Sequence, residues 1–125
     1  MKLGLIAYGN DGGLGAQTRR LSNFLHPDKI LLINSSGFSK NKTFHPEWYP
    51  AESTTITHGL PSGRDVLRFL DGLTLVFMCE DPYNPFILTA AKTLGVKTIC
   101  QANFEFMQSL RHPSLPLPDT IVGLS

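Results

Sequence analysis

The segment Leu3-Gly-Leu-Ile-Ala-Tyr-Gly-Asn-Asp-Gly-Gly-Leu-Gly-Ala-Gln-Thr-Arg-Arg-Leu21 decides how the rest of the chain is read. Leu3, Leu5, Ile6 and Ala7 form the short apolar run of a strand covered on both faces. Gly9, Gly12, Gly13 and Gly15 follow, and such a backbone turns tightly and can be approached without side chains in the way. A basic amphipathic helix then begins, with its unpaired amides and positive dipole end directed at the loop, which favours phosphate or another anion. The spacing limits the inference. No register of these glycines gives G-x-G-x-x-G, and no lysine stands where G-x-x-x-x-G-K-[ST] requires one. The loop marks either a nucleotide- or sugar-phosphate-handling α/β domain or a sharp strand-to-helix turn with no ligand.

Outward from this loop, apolar runs alternate with helical stretches. A helix from about Gly13 to Leu25 presents Leu14, Leu21, Phe24 and Leu25 on one face, and His26-Pro27-Asp28 ends it. Lys29–Asn34 is a second buried strand and Thr54–His58 a weaker third. Ser62 and Asp65 match a capping box ahead of the buried face Val66, Leu67, Phe69 and Leu70. Leu73–Met78 is the most apolar strand. Asn84 caps a helix with Pro85 at its first position, and Gly95 stops it. Val96–Gln101 and Asp119–Gly123 complete six strands. Repeated strand–helix–strand units predict a doubly wound parallel sheet of about six strands with helices on both faces, and ligands in such sheets bind at the carboxyl ends of the strands. The expected organisation is a single domain over 1–125. Its last strand has no following helix to cover it, as in part of something longer or something that needs a partner.

Bulk properties narrow the class. The 125 residues carry a net charge of +1 with a pI near 7.8. That gives no electrostatic footprint for nucleic acid. No run approaches membrane-spanning length, and the N-terminal apolar run meets glycine too soon for a signal peptide. Cys79 and Cys100 are too few for a disulfide framework, pointing to a reducing, cytoplasmic setting, and no ligand spacing suggests a metal.

The order of features resembles the N-terminal half of GT-B glycosyltransferases of the glycosyltransferase-4-like group. The resemblance rests on Asn10-Asp11-Gly12-Gly13-Leu14-Gly15-x-Gln17, the acidic pair Glu80-Asp81 and Ala90–Thr98. It continues through Gln101-Ala102-Asn103-Phe104-Glu105 and the closing Pro118–Ser125. It implies a Rossmann-like, acceptor-side domain whose glycine loop approaches a donor diphosphate, with a C-terminal donor-binding domain absent here. The implied partners are a nucleotide sugar, serving as co-substrate with no cofactor, an unknown acceptor, and a second Rossmann-like domain or partner chain. The chain alone would then be inactive. The alternative is a stand-alone binding or regulatory module without catalysis.

Gly12, Gly13, Leu14 and Gly15 are the candidates for lining phosphates through backbone amides. Arg19 and Arg20 lie a turn further on, as anion contacts or solvated cations. Glu80 and Asp81 end the most buried strand, where a carboxylate serves as base or hydroxyl ligand, or else supports the turn around Pro82. His58, ending the third strand, is an alternative base or an exposed histidine. The resemblance adds Asn10 and Asp11 as substrate contacts, and Glu105 as a contact to the acceptor or a residue that fixes its own loop. Trp48 and Tyr49, in the long connection from Gly37 to Pro50, either stack on a flat substrate or pin that loop to the domain.

Overall fold

A computed structural model describes residues 1–36, 43–79, 85–102 and 118–123. Its strands are β1 (Leu3–Tyr8), β2 (Lys29–Asn34), β3 (Thr54–His58), β4 (Leu75–Cys79), β5 (Lys97–Ala102) and β6 (Thr120–Gly123). Its helices are α1 (Gly13–Leu25), α2 (Gly63–Leu70) and α3 (Pro85–Leu94), with 3₁₀ turns at Pro46–Trp48 and Ala51–Ser53. All six strands pair in parallel in the order β3-β2-β1-β4-β5-β6. This is a Rossmann-like sheet, and its strand order reverses between β1 and β4.

Strand alternation divides the core in two. Ile6, Leu31, Ile33, Val76 and Met78 point to the face covered by α2 and α3. Leu5, Ala7, Ile30 and Leu32 point to the other, where Tyr49, Phe44, Trp48 and Phe77 join them. Helix α1 packs on β1. Beside it, the β2–β3 connection covers the sheet with its two 3₁₀ turns.

Three strand starts lie one or two residues later than the apolar pattern predicts, because the preceding residues serve as caps. Leu73 N–H donates to Leu70 O at the end of α2. Val96 N–H donates to Ala91 O (2.8 Å) and Gly95 N–H to Lys92 O, which is the paired bonding of a Schellman helix end with Gly95 at φ 75°. Asp119 Oδ2 accepts from Thr98 N (2.9 Å), and Asp119 N donates to Thr98 Oγ1 (3.0 Å), joining β5 to β6. The Thr98 amide holds the Asp119 carboxyl below the usual carboxylate range. The amino ends of β1, β2 and β4 are tied the same way. Leu3 N donates to Asp28 Oδ2 (2.8 Å), and Lys2 exchanges hydrogen bonds with Thr74 (3.0 and 3.1 Å).

The predicted apolar face of α1 is corrected. Its buried residues are Gly15, Thr18 and Ser22, whereas Leu14, Leu21 and Leu25 are half-buried and Phe24 is 81% exposed. Small side chains bring this helix closer to the sheet than leucines would. The capping box of α2 is present as predicted, with Asp65 N donating to Ser62 Oγ (3.1 Å) and Ser62 N to Asp65 Oδ2 (3.2 Å).

A Cβ placed on Gly95 meets no atom within 4 Å, so the cost of Gly95→Ala is purely conformational. We expect a loss of about 1 kcal/mol in chemical denaturation, seen as a lower midpoint at unchanged slope.

Candidate functional site

The carboxyl end of β1 feeds a turn of four residues into α1. Gly12, the N-cap, sits at φ 121° and ψ −179°, a region open essentially to glycine alone, and no side chain caps the helix. The first-turn amides of Gly13, Leu14 and Gly15 have no intrahelical acceptor by helix geometry. Gly15 is where the turn is tightest, since a Cβ there would collide with the Asn10 carbonyl oxygen. Gly9 is crowded on its other side, where a Cβ would lie 2.5 Å from Phe44. Gly13 faces open space. Two glycines therefore admit close packing, and Gly12 and Gly13 leave the backbone accessible.

Thr18 fixes the helix to the strand. Its hydroxyl donates to Tyr8 O (3.2 Å), accepts from Tyr8 N (3.1 Å) and meets the Tyr49 hydroxyl (3.2 Å). Tyr49 is 5% exposed, and burial pushes its phenol pKa up. This ring is a core group that secures the β2–β3 connection. Trp48 is half-buried, stacked on His45 (4.2 Å between centroids, 13° between planes), with the Arg19 guanidinium 4.5 Å above its ring.

Asn10 is 2% exposed, and its amide is fully used. Its Oδ1 accepts from Ser35 N (2.7 Å) and Ser35 Oγ (3.0 Å), and its Nδ2 donates to Asn34 Oδ1 (3.2 Å) and Ser36 Oγ (3.0 Å). Asn34 Nδ2 in turn donates to His58 Nδ1 (3.0 Å). Because Asn34 Oδ1 also accepts from Ser36 N (3.0 Å), the amide orientation is set. His58 therefore accepts at Nδ1 and carries its proton on Nε2. The chain of contacts from Asn10 to His58 spans the carboxyl ends of β1, β2 and β3.

Asp11 is exposed and lies 2.8 Å from His45 Nε2, while His45 Nδ1 lies 2.9 Å from Glu47 Oε1. The hydrogen bond to Glu47, assisted by Asp11 and opposed by partial burial, raises the His45 pKa above its ordinary 6.5. The Glu47 amide and His45 lower that of Glu47. On the other side of α1, Gly13, Ala16, Gln17, Arg20, Leu21 and Gln101 line a cavity of about 410 Å³, within the size range of ligand sites.

The structure thus gathers Asn10, Asp11, Gly12, Gly13, Leu14, Gly15, Trp48, Tyr49 and His58 at one end of the sheet. Glu80, Asp81 and Glu105 lie outside the described residues. Cys79 and Cys100 are both buried. Among the described residues no cluster has the composition of a metal site, and no helix is long and apolar enough to cross a membrane. The sequence reading missed Thr18, Asn34 and His45. The usable signals were the helical spacing of Thr18 from Gly15 and the polar Asn34-Ser35-Ser36 ending an apolar strand.

No family model matches the sequence, and no curated protein matches it. Among solved structures the chain is similar to two short-chain dehydrogenase/reductases from Veillonella parvula DSM 2008. One is an ethylated form, at 15% identity and TM-score 0.52, covering 83% of this chain and 49% of that one. The other, of wide type and in complex with NADP, shows 15% identity and TM-score 0.51, covering 93% and 57%. The chain spans about half the length of these structures, and the likeness is one of fold. Neither is a glycosyltransferase, so the expected acceptor-side sugar-transfer function and its GT-B label are corrected. The described motifs behind that expectation, above all the glycine loop, belong to an architecture that serves many chemistries.

Replacing Tyr49 by Phe removes the hydroxyl shared with Thr18 and Tyr8. Denaturation of the variant should show a loss of about 1 kcal/mol.

Proposed function

We propose that this chain is a nucleotide-binding, Rossmann-like module of an oxidoreductase. It takes a nicotinamide dinucleotide of the NADP type, with the diphosphate on the glycine loop between β1 and α1. One observation carries the reading: the order β3-β2-β1-β4-β5-β6 puts that loop at the point where strand order reverses, the crevice in which such sheets bind dinucleotides.

The local chemistry fits the group. Gly15 lets α1 start against the strand end, and the open space at Gly13 leaves room for an anion at the first-turn amides. Arg20 lines the adjoining cavity and supplies a cation there. Asp11, the one carboxylate in the turn, is engaged by His45. NAD-selective sheets of this order place an acid about 20 residues beyond the loop, on the ribose 2′-hydroxyl. Here that register falls on Asn34, Ser35 and Ser36, amide and hydroxyl groups that do not repel a 2′-phosphate. When bound, the dinucleotide supplies hydride transfer at its nicotinamide ring. The residues of this chain bind and orient it.

Titration calorimetry with NADP, NAD and ADP tests the reading. NADP should bind most tightly and NAD more weakly, and absence of heat with all three overturns it. Gly13→Asp places a carboxylate in the open space at a helix N-terminus, where it favours the helix by about 0.3–1 kcal/mol. The variant should therefore stay folded while NADP affinity falls about tenfold or more.

A further inference from the structure

The β2–β3 connection returns along the β2 side of the glycine loop and is sewn to it by a short seam. Asp11 N donates to Thr43 O (3.0 Å), His45 N donates to Gly9 O (2.6 Å), and Asn10 and Phe44 form an antiparallel bridge. Two backbone bonds make a weak seam, so the side chains that reinforce it decide whether it stays closed. The apolar one is Phe44, packed against Gly9, and the polar ones converge on His45, whose two ring nitrogens each face a carboxylate: Asp11 from the loop and Glu47 from the 3₁₀ turn.

The geometry is selective for one protonation state. An imidazolium has two N–H groups and donates to both carboxylates. A neutral imidazole has one, so its second nitrogen would face a carboxylate oxygen lone pair to lone pair. We propose that His45 is a proton-operated clasp: protonated, it bridges Asp11 and Glu47 and holds residues 43–45 on the glycine loop, and deprotonated, it releases one carboxylate and the seam opens.

The surroundings agree with this role. Among the described residues, the charged and titratable groups around His45 are Asp11, Glu47, Arg19 across the Trp48 ring, and His58. The last reaches the same region through its edge-on contact with Phe44 (6.1 Å). The carboxylates next to His45 outnumber the cation held off by Trp48. They raise the pKa of the imidazole from 6.5, in the direction a clasp needs. A raised folded-state pKa means that the contribution is full below about pH 6.5 and is lost as pH rises through the raised value.

Trp48 is the single tryptophan of the chain and stacks on His45. A contacting imidazolium quenches indole emission, so fluorescence of the intact protein reads the state of His45 directly. Between pH 5.5 and 9 the emission should rise in one transition centred above pH 6.5. Over the same range, hydrogen-exchange protection of the amides at positions 11 and 45, corrected for intrinsic rates, should fall about threefold to tenfold. His45→Gln should abolish both transitions, and Asp11→Asn should move them to lower pH. Protection that stays constant with pH in the native protein overturns the proposal. So does an unchanged transition in either variant.

Discussion

The contact between Gly15 and the carbonyl of Asn10 sets the geometry of this domain. A methyl group at position 15 cannot coexist with that oxygen, so α1 begins against the end of β1 with nothing in between. The buried line Gly15, Thr18 and Ser22 continues the same constraint down the helix, and Thr18 turns it into bonding by both donating to and accepting from the Tyr8 backbone. Bulkier residues on this line would lift the helix from the sheet and aim its first-turn amides elsewhere. The anion-directed loop is thus a product of packing before it is a matter of recognition.

The same constraint explains where the sequence was legible. The apolar runs of β1, β2 and β4 announce strands buried on both faces, and the punctuation by Ser62, Asp65 and Gly95 announces where helices begin and end. The face of α1 was read wrongly because leucines and Phe24 carry the visible hydrophobic signal, whereas the helix packs through residues that score as small or polar. Hydrophobic periodicity measures what a side chain loses in water and is blind to how closely a backbone must approach. The loop was legible as a loop, but its neighbours were not. His45 stands more than thirty residues from Asp11, and its place beside the turn follows only from the return of the β2–β3 connection.

That connection shows how an irregular segment can do a helix's work. Where a second crossover helix would cover the sheet beside α1, the described residues of the connection supply two 3₁₀ turns and three aromatic rings. Tyr49 is inside the core with its hydroxyl bonded, Phe44 fills the space that Gly9 leaves, and Trp48 lies between the connection and Arg19. Aromatic rings bury much area per residue with few rotatable bonds, which suits a stretch too irregular to form repeating contacts.

The lateral side-chain ties of the sheet sit at the two ends of its strands. At the amino ends, Asp28, Thr74 and Asp119 join β1 to β2, β1 to β4 and β5 to β6. At the carboxyl ends, the Asn10, Asn34 and His58 chain joins β1, β2 and β3, and the Cys79 thiol donates to Gln101 Oε1 (3.7 Å) between β4 and β5. The sheet is therefore stitched at both margins, with Asp28, Thr74 and Asp119 along one and Asn10, Asn34 and His58 along the other. A side chain that bridges two strand ends also holds their register, because a slip of one residue would carry its partner to the opposite face of the sheet.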